Sequence, residues 1–183
     1  MTKDFYLMAR KIAPDGALIR RKSHRFVRFK TGQPLGADFE AGPVVFKLDA
    51  ELRNGPLPTF FSGPALVSTV GFYEDLKQSG VDCIEARPAV LEDPVDGRSI
   101  QGYVLLNIVG LVSCADMPAS EAETLGEDMT IINRLVLNSK RLPEFDLFHV
   151  AEDTDNIVVS ERVYRHLKAK NYPDVYFEKL EQV

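Results

Sequence analysis

The same pattern occurs twice in the chain, at residues 66–84 and 158–176: an apolar pair, a serine, an amphipathic stretch, a Gly or Asn, and a second apolar run. Serine is a favoured helix N-cap because its side-chain oxygen accepts a hydrogen bond from a free backbone N–H of the first turn. Gly and Asn most readily end a helix in the left-handed conformation. We therefore predict two strand–helix–strand units with Ser68 and Ser160 as N-caps. Convergent cap-and-stop chemistry and a genuine duplication are both open as the origin of the repetition.

Around these units, short apolar runs alternate with turn signals, which is typical of β-strands. Residues 81–91 and 101–114 flank the turn pair Asp96 and Gly97, and this arrangement predicts an antiparallel hairpin with a longer loop. The acidic stretch 118–128 is predicted to be a loop or a short helix. Further strands are predicted within residues 4–11, 17–30, 44–48, 129–137, 147–151, 157–159 and 175–180, and a capped helix is predicted over 161–170.

These elements predict an α+β fold: a mostly antiparallel sheet with two or three helices packed on it, including the possible repeated strand–helix–strand unit. The length of 183 residues fits a single domain, 1–183. A chain of this length can bury a substantial core without disulfides or metals.

No apolar run reaches the roughly 18 to 20 residues that a membrane-spanning helix needs. The longest run, residues 103–112, contains Asn107 and Gly110. The first ten residues lack the apolar core and cleavage pattern of a signal peptide. We therefore expect no membrane segment and a cytoplasmic protein, or one that is delivered without a cleaved signal.

The charge is distributed unevenly. Residues 1–30 carry nine Lys or Arg and two Asp, although the whole chain has a formal net charge of -5, so the remainder is strongly acidic. This asymmetry suits a charged macromolecular partner, or a basic segment that lies on its own acidic body. Cations and aromatics are mixed over residues 20–30, as on nucleic-acid surfaces, but the acidic chain as a whole argues against nucleic acid.

Ser160 stands between an apolar run and a helical pattern, where a catalytic serine can also occur. A nucleophile at such an elbow usually has glycines two residues to either side, and Val158 and Arg162 occupy those positions. His166, six residues further on, lies on the far side of the predicted helix. The pattern therefore favours a helix cap, and Ser68 is interpreted in the same way.

The remaining reactive side chains form no recognisable cluster. His24, His149 and His166 are not at metal-ligand spacing, and the chain has no phosphate-binding loop. Cys83 and Cys114 are far apart and belong to no Cys-x-x-Cys pair, so we expect two buried thiols. We expect neither a metal nor a cofactor.

Asn107 interrupts the most apolar of the predicted strands. A buried amide must find hydrogen-bond partners. We expect Asn107 to serve the backbone of a neighbouring loop, with a ligand contact as the alternative.

Seven short motifs follow one another in an order that matches a known pattern. They are residues 102–109, 112–116, Ser120, 134–137, 147–150, 157–161 and 175–177. In this order they resemble the bacterial polymorphic-toxin immunity family that was first described from a myxobacterial member and was formerly a domain of unknown function. The resemblance covers residues 61–183, and residues 1–60 form a variable N-terminal part.

The resemblance implies a non-enzymatic protein that binds and neutralises a cognate protein toxin. It assigns no binding residues, so we choose candidates by charge, because an acidic surface suits a basic toxin face. The candidate partner-binding residues are Asp116, Glu121, Glu123, Glu127 and Asp128. Two alternatives stay open: a hydrolase of unrecognised type that uses Ser160 or His149, and a nucleic-acid-binding module that uses residues 20–30. The sequence leaves the oligomeric state open.

Overall fold

The computed structural model describes residues 3–11, 16–21, 29–36, 42–125 and 129–183, and these form an α+β fold that is mostly sheet. The strands are β1 (Phe5–Arg10), β2 (Ile19–Arg21), β3 (Val44–Leu48), β4 (Phe60–Phe61), β5 (Leu66–Thr69), β6 (Ile84–Glu92), β7 (Ser99–Ile108), β8 (Leu111–Val112), β9 (Glu121–Leu125), β10 (Met129–Arg134), β11 (Val136–Leu137), β12 (Leu147–Val150), β13 (Ile157–Ser160), β14 (Val175–Lys179) and β15 (Glu181–Gln182). The helices are α1 (Val70–Gln78) and α2 (Glu161–Lys170), and Ser139–Arg141 forms a 3-10 turn. Among the described residues, neither helix has the length and apolar character needed to cross a membrane.

The strands form two larger sheets and two small ones. The five-stranded sheet has the order β14-β1-β13-β12-β8, and the six-stranded sheet has the order β2-β3-β6-β7-β5-β4. Pairing is antiparallel within them except for β8 with β12 and β3 with β6. The small sheets are the antiparallel pair β9-β10 and the parallel pair β11-β15.

Each helix connects two strands that are separated by one other strand. Helix α1 connects β5 to β6, and β7 lies between them and is antiparallel to both. Helix α2 connects β13 to β14, and β1 lies between them in the same antiparallel manner. The two units therefore share one connectivity, while their origin by duplication stays a prediction.

A central core lies between the two larger sheets and includes both helices. Strand β7 alternates: Leu106 belongs to this core, whereas Leu105 belongs to a second cluster on the other face of its sheet. Strand β13 behaves likewise, since Val159 faces the central core and Val158 a third cluster. Because successive strand residues point to opposite faces, both sheets are buried on two sides.

The predicted hairpin about Asp96 and Gly97 is confirmed. Strands β6 and β7 pair antiparallel from Ile84 with Ile108 to Glu92 with Ser99. Gly97 has φ 72°, which a residue without a Cβ adopts at little cost. Of the strand predicted within residues 17–30, the structure describes a strand only at β2. Residues 22–28 of that prediction lie outside the described residues.

The predicted cap of α1 was wrong by one residue. The N-cap is Thr69, whose side chain accepts from Phe72 N at 3.3 Å, while Ser68 is buried in β5 and donates to the Thr69 carbonyl. Ser160 occupies the N-cap position of α2, but its side chain makes no capping hydrogen bond. The two residues predicted to end the helices both have a positive φ, which is 90° at Gly80 and 56° at Asn171.

The prediction of a loop or short helix over 118–128 was also wrong at residues 121–125, whereas residues 118–120 lie in a turn and residues 126–128 lie outside the described residues. Residues 121–125 form β9, because pairing with β10 provides hydrogen-bond partners for the backbone of this short polar segment. The local sequence pattern alone does not identify it as a strand. The strand predicted over 129–137 is broken into β10 and β11 at the buried Leu135.

The two helix caps differ in a way that stability measurements can detect. We expect Thr69→Ala to lower the free energy of unfolding by about 1 kcal/mol, because a side-chain cap is lost. We expect Ser160→Ala to change it by less than about 0.5 kcal/mol, because no capping bond is lost. Urea denaturation of both variants measures the difference, and equal losses would contradict this account of the caps.

Candidate protein-interaction site

The hairpin of β9 and β10 presents one face to solvent. Leu125 pairs with Met129 and Glu123 with Ile131, so these four side chains share a face. Ile132 lies on the opposite face and is buried in the third cluster at 7% exposure. The outer face thus carries three large apolar side chains, Leu125 at 50%, Met129 at 58% and Ile131 at 39% exposure.

Carboxylates accompany this apolar face. Glu123 Oε1 accepts a hydrogen bond from Asn133 Nδ2 at 2.9 Å, across a register shift between Ile132 and Arg134. The Glu121 side chain is 71% exposed and lies 3.9 Å from the guanidinium of Arg134. The outer face is therefore an apolar patch with an acidic margin, which we call the hairpin patch: Glu121, Glu123, Leu125, Met129 and Ile131.

Arg134 anchors the base of the hairpin. It pairs with Glu181 of β15 at 2.8 Å and donates to the Ala119 carbonyl at 3.1 Å. On the same strand, β10, the backbone N–H of Ile132 donates to Asp153 Oδ2 at 2.9 Å. These contacts fix the hairpin to the body of the protein.

The five acidic candidates from the sequence are not all in one place. Glu121 and Glu123 lie in the hairpin patch, whereas Glu127 and Asp128 lie outside the described residues. Asp116 differs, because its carboxylate accepts from Ala119 N at 3.2 Å and from Asn138 Nδ2 at 3.1 Å. The Asp116 carboxylate therefore organises its own loop.

Sequence reasoning missed the apolar members of the hairpin patch. Met129 and Ile131 are two residues apart within a predicted strand, so they were expected on one face without any indication that this face is exposed. Leu125 was assigned to a loop or short helix. The alternation of Glu121, Glu123 and Leu125 with smaller residues is the signal that could have identified β9.

Asn107 fastens a loop to the six-stranded sheet. Its Nδ2 donates to the Gln33 carbonyl at 2.8 Å and to Glu85 Oε2 at 3.0 Å. The same Glu85 oxygen accepts from Leu35 N at 2.6 Å. The buried amide and its neighbouring carboxylate thus hold residues 33–35 in place.

Ser160 is closed to any substrate. The residue is 0% exposed, and its Oγ lies beside the carboxylate of Asp146. Burial tends to raise the pKa of Asp146, but Ser160, Lys3 and Arg162 together outweigh it and lower the pKa. Lys3 and Arg162 both form ion pairs with this carboxylate. The cluster joins Lys3, just before β1, and Asp146, just before β12, to the end of β13 and the start of α2, and it offers no accessible nucleophile.

The second suggested catalytic residue, His149, is equally inaccessible. It is 1% exposed in β12, and among the described residues its Nδ1 has no hydrogen-bond partner. Burial lowers its pKa to about 4, Lys30 adds to this effect, and the Thr154 carbonyl and Asp155 oppose it. His149 is thus a neutral core residue near pH 7.

The described ends of the basic segment 20–30 lie against acidic residues. Arg20 pairs with Asp49 at 2.8 Å, and Lys30 pairs with Asp155. Residues 22–28, which include His24, lie outside the described residues.

Both thiols are shielded and protonated at neutral pH. Cys114 is buried, and burial raises its pKa to about 12. Cys83 is half-buried and donates to the Leu147 carbonyl at 3.1 Å, and burial raises its pKa as well. In the part of the chain that the structure describes, no group of three or more His, Cys, Asp or Glu is arranged to hold a metal ion.

Two open recesses, of about 450 and 490 Å³, lie on the described surface. The first is lined by Arg20, Lys47, Leu48, Asp49, Ala50, Glu51 and Pro94, and the second by Asp4, Ser139, Lys179, Leu180, Glu181 and Gln182. Among the described residues, neither recess is lined by a histidine or cysteine, and neither is enclosed, so the hairpin patch is the more distinctive candidate surface.

In comparisons with protein-family models and with curated proteins, the chain matched none.

The buried His149 predicts an acid-dependent loss of stability. Its pKa is about 4 in the folded chain against an ordinary value of 6.5, so the unfolded chain binds the additional proton between these values. The contribution is fully present above pH 6.5 and is lost as the pH falls towards 4. We expect the free energy of unfolding of the wild type, relative to His149→Leu, to fall by about 3 kcal/mol between pH 7 and pH 4.

Urea denaturation of both proteins across this range tests the prediction. The difference between the free energies of unfolding of the wild type and His149→Leu removes the contribution of carboxylates that titrate in both proteins. Parallel stability curves would show that His149 is not held neutral by burial.

Proposed function

We propose that the chain is a non-enzymatic immunity protein that binds a cognate bacterial toxin in the cytoplasm and neutralises it. The motif order described above motivates the toxin as partner. The observation that carries a binding role is the hairpin patch, where Leu125, Met129 and Ile131 stand exposed on one face of a two-stranded hairpin. Exposed large apolar side chains grouped on one surface mark protein-interaction sites more often than single exposed residues do.

The charge around the patch indicates the chemistry of the partner. Glu121 and Glu123 border the apolar side chains, and the chain as a whole has a net charge of -5. Carboxylates repel the phosphates of a nucleic acid and attract a basic protein surface. The partner surface that fits best is therefore an apolar recess with Lys or Arg at its rim.

Co-expression tests the proposal directly. The probe is the toxin domain encoded beside the gene for this protein, produced with and without the immunity protein in the same cells. We expect growth to be rescued and the two proteins to co-purify as a complex. A neighbouring gene that encodes no toxin, or a toxin that neither binds nor is neutralised, would overturn the proposal.

Truncation of the apolar side chains tests whether the patch is the contact surface. We expect Met129→Ala and Ile131→Ala each to weaken toxin binding by about fivefold or more, because central apolar anchors typically contribute above 1 kcal/mol. Val95→Ala is a matched control, since Val95 is an exposed apolar residue at 62% on a different hairpin. Isothermal titration calorimetry measures the three affinities, and equal effects at Val95 and the patch would place the contact elsewhere.

Charge reversal tests the acidic margin separately. We expect Glu123→Lys to slow association with the toxin and to reduce its dependence on salt, because rim charges act mainly on the encounter rate. Glu178→Lys makes the same change of net charge at an exposed position of β14. Stopped-flow association rates at two salt concentrations compare the variants, and identical rates would exclude steering by Glu123.

A further inference from the structure

Among the described residues, the β9-β10 hairpin is a two-stranded sheet, so each of its strands has one edge without a described neighbouring strand. Backbone N–H and C=O groups that point away from the partner strand lie along that edge. Such an edge is a template for the addition of an extended chain. The two edges of this hairpin are not equivalent.

On the edge of β10, one main-chain donor is already used by the protein itself. The N–H of Ile132 donates to the carboxylate of Asp153 at 2.9 Å and therefore points away from β9. This direction fixes the hydrogen-bonding pattern of the whole hairpin. In an antiparallel pair, opposing residues alternate between hydrogen-bonded and non-hydrogen-bonded pairs.

Because Ile132 faces outwards, its pair with Ala122 is a non-hydrogen-bonded one, and so is the pair of Thr130 with Thr124. The N–H and C=O groups of Ala122 and Thr124 then point outwards along the free edge of β9. Within the described part of the chain, neither residue forms a backbone hydrogen bond outside the hairpin. All five residues of β9 are exposed.

We propose that this edge of β9 accepts an extended strand of the toxin, which adds to the hairpin as a third strand through the main-chain groups of Ala122 and Thr124. The inference rests on the proposed function and specifies how the partner binds. Alternate side chains of the added strand lie beside Glu121, Glu123 and Leu125 on the outer face. The matching segment of the partner therefore has basic residues opposite the two carboxylates and an apolar residue opposite Leu125.

A proline substitution separates the edge from the side chains. Thr124→Pro removes an N–H that the β9-β10 pairing does not use, whereas Thr124→Val keeps the N–H and the branched side-chain shape. We expect binding of the neighbouring toxin domain to weaken about tenfold or more for the proline variant and to change less than about twofold for the valine variant. Calorimetric titration measures both affinities, and equal affinities would overturn strand addition.

Amide hydrogen exchange gives a second readout that does not depend on a substitution. In wild-type protein, NMR is expected to show fast exchange at Ala122 and Thr124 when the chain is free, and strong protection in the toxin complex. Glu123 and Leu125, whose amides face β10, serve as internal controls with smaller changes. If the proline variant loses its hairpin, this measurement decides the question.

The possible outcomes distinguish the two proposals. A toxin that binds and is neutralised while Ala122 and Thr124 remain unprotected removes strand addition and leaves the immunity function intact. A toxin that forms no complex with the wild type removes the proposed function and strand addition together.

Discussion

The face of the five-stranded sheet opposite the central core has to be covered, and this requirement places the candidate site. Phe148 and Val158 turn apolar side chains to that face, at 0% exposure each. The chain between β8 and β12 provides the cover, with Ile132, Leu135 and Leu137 packed into the same cluster. Because Ile132 is inserted there, the opposite face of β10 is turned to solvent. The exposure of the hairpin patch is thus a consequence of covering the sheet.

Polar contacts convert this placement into a fixed geometry. Arg134 links the hairpin to Glu181, and Asp153 holds the backbone of Ile132. Elsewhere, Asp174 accepts from the backbone and hydroxyl of Thr59, which links the residue before β14 to the residue before β4 and so ties the two larger sheets. A surface held in this way loses little conformational entropy when a partner binds, so less of the contact energy is consumed by ordering.

The sequence predicted elements whose signals are local and failed where tertiary contacts decide. The helix 161–170 and the strand 44–48 have the predicted bounds, because amphipathic periodicity and β-branched runs are sufficient there. At the start of α1, Ser68 and Thr69 are both good caps, and burial of Ser68 in β5 selects Thr69. Charge alone suggested Glu121 and Glu123 as candidates, but the apolar half of the patch depends on β9 pairing with β10, which no local pattern specifies.

The proposed binding mode would divide affinity and specificity between two parts of one hairpin. Main-chain hydrogen bonds at Ala122 and Thr124 depend little on the sequence of the added strand, so they contribute affinity for any extended segment that reaches the edge. Discrimination would come from Glu121, Glu123 and Leu125, whose neighbours on the added strand must match in charge and size. Substitutions on the outer face could then change the preferred toxin without altering the edge, because side chains and main-chain groups of β9 point in perpendicular directions. Asp153 would favour β9 as the accepting edge, since it already occupies one outward-facing donor of β10, the N–H of Ile132.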